Sequence, residues 1–191
     1  MALEELLKEV RACTACAGLP LGPRPVLAAA RSARILVVGQ APGTRVHETG
    51  VPWNDPSGDR LRSWMNVDRE TFYDTRRIAI VPMGFCYPGR GKSGDLPPRP
   101  ECAPLWHERI LRELPHLELK ILAGSYAQAH YLAGRVQRTL TETVRASEEY
   151  GEDTIPLPHP SPRNNLWLRK NPWFEERLVP RLQSRVRELL D

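Results

Sequence analysis

Long apolar runs are missing from this chain of 191 residues: nowhere do about 18 apolar residues follow one another, so no membrane span is expected. Internal repeats, low-complexity tracts and linkers are also missing, which leaves a single domain over residues 1–191 as the expectation. Cysteine is sparse, at four. Lysine is far outnumbered by arginine, and the net charge is +4 with a pI near 9.0. That balance is compatible with a polyanion partner. The first eleven residues alternate charge with Leu and Val, the pattern of an amphipathic helix and not of a signal peptide, so a cytoplasmic monomer is expected.

Proline, in contrast, is abundant at 19, and apolar residues make up 41% of the chain. Intact apolar runs between the prolines argue for long, stiffened loops around a proper core. The pattern predicts a helix over 2–11, strands over 34–39, 77–81, 117–122 and 154–157, and helices over 101–114 and 125–132. A helix is expected to start behind Ser57 as its N-cap, the polar stretch 135–150 to be helical, and a terminal helix over 174–190 to be kinked by Pro180. The segments 40–57 and 83–100 read as loops. Strands alternating with helices imply an α/β fold, a three-layer α/β/α sandwich on a four-stranded, mostly parallel sheet. Such sheets bind ligands at the carboxyl ends of their strands. Two loops leave strands there, Gly39-Gln40-Ala41-Pro42-Gly43 and His159-Pro160-Ser161-Pro162-Arg163-Asn164.

Residues 89–94 match G-x-G-x-x-G and end like a phosphate-binding loop. Neither reading survives its context. Cys86 stands where the phosphate loop needs its first glycine, and Asp95-Leu-Pro-Pro-Arg-Pro100 cannot open a helix.

Cys13 and Cys16 form a C-x2-C pair, and Cys86 and Cys102 stand apart from it and from each other. In a cytoplasmic protein this set suggests a metal site before it suggests disulfides. Zinc and a [4Fe-4S] cluster both accept four thiolates, and four free thiols are the remaining alternative.

Together the two loops and the cysteine spacing resemble the uracil-DNA glycosylase superfamily. Residues 39–43 look like its first active-site motif and residues 159–164 like its second, in the version of the single-strand-selective branch. The cysteine spacing is similar to that of the iron–sulfur branch, where four cysteines hold a [4Fe-4S] cluster. The resemblance implies a DNA repair enzyme that flips a damaged base from single- or double-stranded DNA and hydrolyses its N-glycosidic bond. It implies that His159 donates a hydrogen bond to a carbonyl of the leaving base, that Trp53 stacks on that base, and that residues 39–43 (Gly39, Gln40, Ala41 and Gly43) bind it through close backbone contact. Ser161, Arg163 and Asn164 would meet DNA, with Arg163 entering the space the base has left.

The pattern is incomplete at two points. The iron–sulfur branch carries Glu where this chain has Gln40. Other branches carry Asp or Asn at Ala41, so the residue that activates water is missing from both positions; Gln40 can hold a water but cannot take its proton. Asp55 is the expected replacement, ahead of His47 and Glu48. The Asn that reads uracil is also missing: Pro82, Met83 and Gly84 occupy the comparable stretch. Asn54 could take over, or the pocket could accept a deaminated purine. A non-catalytic damaged-base binding protein is the alternative to an enzyme, and an enzyme acting on free nucleosides a weaker third reading.

Overall fold

A computed structural model describes residues 2–191. Its centre is β1 (Ile35–Val38), four apolar residues all buried, as expected of a strand covered on both faces. β2 (Ile78–Ile80) pairs with one side of it and β5 (Leu119–Ala123) with the other, and β6 (Thr154–Leu157) closes the sheet beyond β5. All three pairings are parallel. Pro156 is tolerated because β6 is an edge strand with only one neighbour to serve. The opposite edge, β2, is covered by the proline-rich segment before β1: Ala28 and Ile80 exchange both backbone hydrogen bonds in an antiparallel bridge.

Alternation along β1 sorts the core into two layers. Ile35 and Val37 point into one, with Leu61, Trp64 and Phe72; Leu36 and Val38 point into the other. The first layer is roofed by α3 (Pro56–Met65), α4 (Arg69–Tyr73), α7 (Leu140–Arg145) and α9 (Val179–Leu190). The second is roofed by α1 (Leu3–Arg11), α5 (Cys102–Arg112) and α6 (Ser125–Tyr131). The buried residues of α1 are Leu3, Leu6, Leu7 and Val10, one face of a 3.6-residue period. The α/β/α sandwich expected from the sequence is the observed architecture.

Several local expectations are corrected. The stretch 40–57 holds a short helix, α2 (Thr44–Thr49), and 83–100 holds a hairpin of β3 (Arg90–Gly91) and β4 (Gly94–Asp95). Asp55, not Ser57, caps α3, because Pro56 takes the first helical position, where a missing N–H costs nothing. Residues 135–139 are not helical, and Ser147–Tyr150 is a 3-10 turn after α7. Pro180 sits in the first turn of α9, and the ladder ahead of it widens into a π-helical turn over Phe174–Leu178. Motif 159–164 runs into a 3-10 turn at Pro162–Asn164 and then α8 (Asn165–Lys170).

Candidate functional site

The carboxyl ends of the strands lie along one edge of the sheet, where a cavity of about 510 Å³ opens. Its walls come from four places in the chain: residues 39–43 after β1, Pro52, Trp53, Asp55 and Ser57 before and within α3, residues 93–95 of the hairpin, and His159 with 161–164 after β6. Val26, Val46 and, at the end of β2, Ile80 and Pro82 complete it.

His159 belongs to the edge strand's loop and reaches back toward β1. It passes over the end of β5 at Gly124, where a Cβ would stand 3.4 Å from that of His159. Gly124 also has φ +94°, which a side chain would strain. Buried Gln128 fixes the two strand ends beneath, its Nε2 donating to the carbonyls of Leu157 (2.8 Å) and Leu122 (3.3 Å). The imidazole then stacks on the indole of Trp53, centroids 5.5 Å apart and planes 29° from parallel. Burial lowers the His159 pKa, while the Asp55 carboxylate nearby works in the opposite sense. Asn164 Nδ2 donates to the His159 carbonyl at 2.7 Å.

Trp53 is both wall and core. It packs among the residues of the first core layer and has φ +57°, the left-handed region that a large residue seldom adopts. Three neighbours hold it there. Gly39 leaves room for the ring, since a Cβ would lie 2.5 Å from its Cζ2. Gly58 leaves room for its carbonyl, which a Cβ would overlap. Buried Arg62 donates through Nη1 to that carbonyl (3.3 Å) and to the Tyr73 hydroxyl (3.4 Å), while Tyr73 donates to the Pro52 carbonyl (2.8 Å). Asp59 pairs with the other Arg62 nitrogen at 2.5 Å.

Of the remaining residues expected at a site, Gln40, Ala41, Gly43, Asp55, Ser161, Arg163 and Asn164 all line the cavity. Asp55 Oδ1 accepts the Gly58 N–H at 2.8 Å as the cap of α3. Gln40 donates through Nε2 to the Leu96 carbonyl at 3.1 Å. Asn54 stands off the cavity wall, its Oδ1 accepting from Arg69 Nη2 at 2.8 Å. His47 and Glu48 are likewise outside the lining.

The hairpin was missed in the sequence, although its glycines at 89, 91 and 94 were visible as turn formers. It bridges the two motifs. Arg163 Nη1 donates to the Ser93 carbonyl at 3.2 Å and packs over Gly94, where a Cβ would collide with it. At the other end Gln40 holds the Leu96 carbonyl.

Away from this cavity, Cys13, Cys16, Cys86 and Cys102 border one small, largely apolar pocket with Phe85 and Arg99. Burial raises the thiol pKa of Cys16 and Cys86 and pushes Cys102 up to about 12. The Phe85 N–H donates to Cys102 Sγ at 3.3 Å. Arg99 donates to the Ala17 carbonyl, and its Nε is buried without a partner. Among the described residues no group of three or more His, Cys, Asp or Glu is set to hold a single metal ion.

The sheet and the edge cavity define a parallel α/β/α sandwich with its ligand cleft at the strand ends. Residues 26–183 match the family model of the uracil DNA glycosylase superfamily, and the chain belongs to that superfamily. Its members are generally hydrolytic DNA glycosylases. The match leaves out α1, Cys13 and Cys16. Among the described residues no helix is long and apolar enough to cross a membrane.

Proposed function

We propose that this chain is a DNA repair glycosylase that draws a damaged base, uracil-like or deaminated, out of DNA and hydrolyses its N-glycosidic bond. The observation that carries this reading is the stacked pair Trp53–His159 in a cavity walled by both superfamily motifs. As the bond breaks, negative charge grows on the leaving base and positive charge on the sugar. A neutral imidazole N–H fixed in a recess stabilises the base anion as an oxyanion hole does, a contribution of about 10²–10³ in rate. The lowered His159 pKa supports that neutral form. Trp53 gives the base an aromatic face, and residues 39–43 let it approach their backbone closely. Asp55, close enough to act on His159, orients or deprotonates the attacking water. Arg163, Ser161 and Asn164 meet the DNA.

The cysteine pocket is read as the seat of a [4Fe-4S] cluster. Four sulfur donors around one pocket and an unpartnered guanidinium N–H beside them fit such a group. Cys13 and Cys16 would hold it from the loop after α1, Cys86 and Cys102 from the loop after β2 and the start of α5. When bound, it would staple these segments together.

A second reading, a damaged-base binding protein without turnover, draws on one feature. The side chains near the customary water position are engaged: Gln40 with Leu96, Asp55 with the α3 cap. Oligonucleotides bearing uracil, hypoxanthine or xanthine, treated with protein and then alkali, test the enzyme reading. Strand breaks at one or more lesions, lost about 10²-fold or more in single turnovers of Asp55→Asn, support it. Lesion-selective binding with no breaks on any of them overturns it in favour of the binding protein.

A further inference from the structure

The hairpin over residues 90–95 brings a carboxylate into the cavity that neither motif contains. Asp95 lies on the wall beside Gly43: a Cβ on that glycine would sit 3.5 Å from Asp95 Oδ2. The two carboxylates of the cavity differ. Asp55 caps a helix and stands close enough to influence His159. Asp95 has no hydrogen bond or ion pair through its side chain among the described residues. It lines the cavity from the hairpin, beside Gly43, whereas the imidazole lies over Gly124 and against Trp53.

The side-chain amides of the cavity are biased the same way. Gln40 spends its NH₂ on the Leu96 carbonyl and Asn164 spends its own on the His159 carbonyl, leaving their oxygens. The end of β2 supplies no reader either. The Pro82 carbonyl is held by His107 Nε2 at 2.9 Å, and the Met83 and Gly84 N–H groups donate to the carbonyls of Gly39 and Gln40. His159 offers the cavity a donor, and Asp95 on the hairpin offers it an acceptor.

We propose that Asp95 is the specificity-determining residue of this cavity and demands an N–H donor on the edge of the base turned away from His159. The inference rests on the reading that the cavity receives an extruded base, and holds whether or not the base is then released. It favours hypoxanthine over uracil. The N1–H of hypoxanthine has a carbonyl on one side and a C–H on the other, so a carboxylate can accept it with its second oxygen over the C–H. The N3–H of uracil lies between two carbonyls, and the second carboxylate oxygen meets one of them in either orientation.

Binding to duplexes whose lesion carries a 2′-fluoro sugar, which resists cleavage, tests this separately from catalysis. Wild type is expected to bind the hypoxanthine duplex about tenfold more tightly than the uracil duplex, the discrimination one well-placed base contact gives. Asp95→Asn, whose carboxamide offers a donor as well as an acceptor, is expected to bring the two affinities to parity, and Asp95→Ala to lose the preference by weakening hypoxanthine and relieving the repulsion of uracil. Asp95 is exposed on its hairpin, so both variants keep the wild-type melting temperature. Equal binding of the two lesions by wild type, or a preference that persists in both variants, overturns the role of Asp95 while leaving base binding intact. Lesion duplexes bound no better than undamaged DNA overturn base recognition itself, and with it both the inference and the proposed function.

Discussion

The ring of Trp53 lies against that of His159 only because Gly39 and Gly58 have no side chains. One glycine clears the indole and the other clears the carbonyl of the same residue. Gly58 sits in the first turn of α3 with its N–H capped by Asp55. In an ordinary exposed helix, Gly→Ala stabilises by about 0.5–1 kcal/mol. Here the sign reverses, since the new methyl would overlap a backbone oxygen that cannot swing away. Gly58→Ala is expected to lose about 2–3 kcal/mol in urea unfolding, the scale of overpacking. Gly39→Ala presses on the ring itself and is expected to reduce lesion binding.

His159 sets a pH dependence. Burial lowers its pKa, so the neutral imidazole persists further into acid than a free histidine does. Single-turnover excision is therefore expected to stay level as pH falls through about 6.5, the ordinary histidine value, and to drop only at lower pH, once the ring takes its proton. His159→Gln is expected to lower the rate by about 10²-fold or more across that range. A rate in wild type that halves at pH 6.5 and tracks an ordinary histidine would argue that the ring works from solvent.

Much of this arrangement could be read from the sequence, for identifiable reasons. β1 is four consecutive buried apolar residues between loops, and α1 carries a clean 3.6-residue period. Elements of five or six residues, such as α2 and α4, are too short to show a period, and α2 is polar besides. The hairpin escaped notice because its strands have two residues each and its glycines mimic two phosphate-binding patterns. Pro56 was the available sign that the α3 cap lies one residue before it. Motif matching brought His159 and Trp53 to one slot. Nothing local in the sequence announces that Gly124 clears the path between them, or that a buried arginine holds the Trp53 carbonyl.

His107 is a second buried histidine, behind the cavity wall. Its Nδ1 meets the Tyr131 hydroxyl at 2.8 Å, its Nε2 the Pro82 carbonyl at 2.9 Å, and its ring stacks on Phe85 with centroids 5.7 Å apart. Burial pulls its pKa down to about 4. The unfolded chain takes up this proton near pH 6.5 and the folded chain only near 4, so the unfolded state binds more protons between those values. Stability from His107 is complete above pH 6.5 and is lost as pH falls toward 4, by about 3 kcal/mol in all. Urea unfolding at pH 7.5 and pH 5 is expected to show the decline, and His107→Phe to reduce it, leaving the part due to His159, while lowering stability at pH 7.5 through the unpaired Pro82 carbonyl.

The cysteine pocket lies where three parts of the chain meet. The loop carrying Cys13 and Cys16 follows α1, which packs on α5, while Cys102 opens α5 and bonds the Phe85 N–H next to Cys86. Burial pushes the Cys102 thiol up to about 12, so as a ligand of the proposed cluster it would have to give up its proton to the metal. On the cluster reading, protein prepared without oxygen is expected to be brown and to carry close to four irons and four acid-labile sulfides per chain. Cys102→Ser and Cys16→Ser are expected to lose the colour and to lower the melting temperature. Bleaching the wild type with an oxidant and chelator is expected to speed proteolysis between residues 12 and 25 while leaving the cavity residues protected, because the sheet edge is held by its own hydrogen bonds. A colourless preparation holding one zinc per chain would replace the cluster with a single ion.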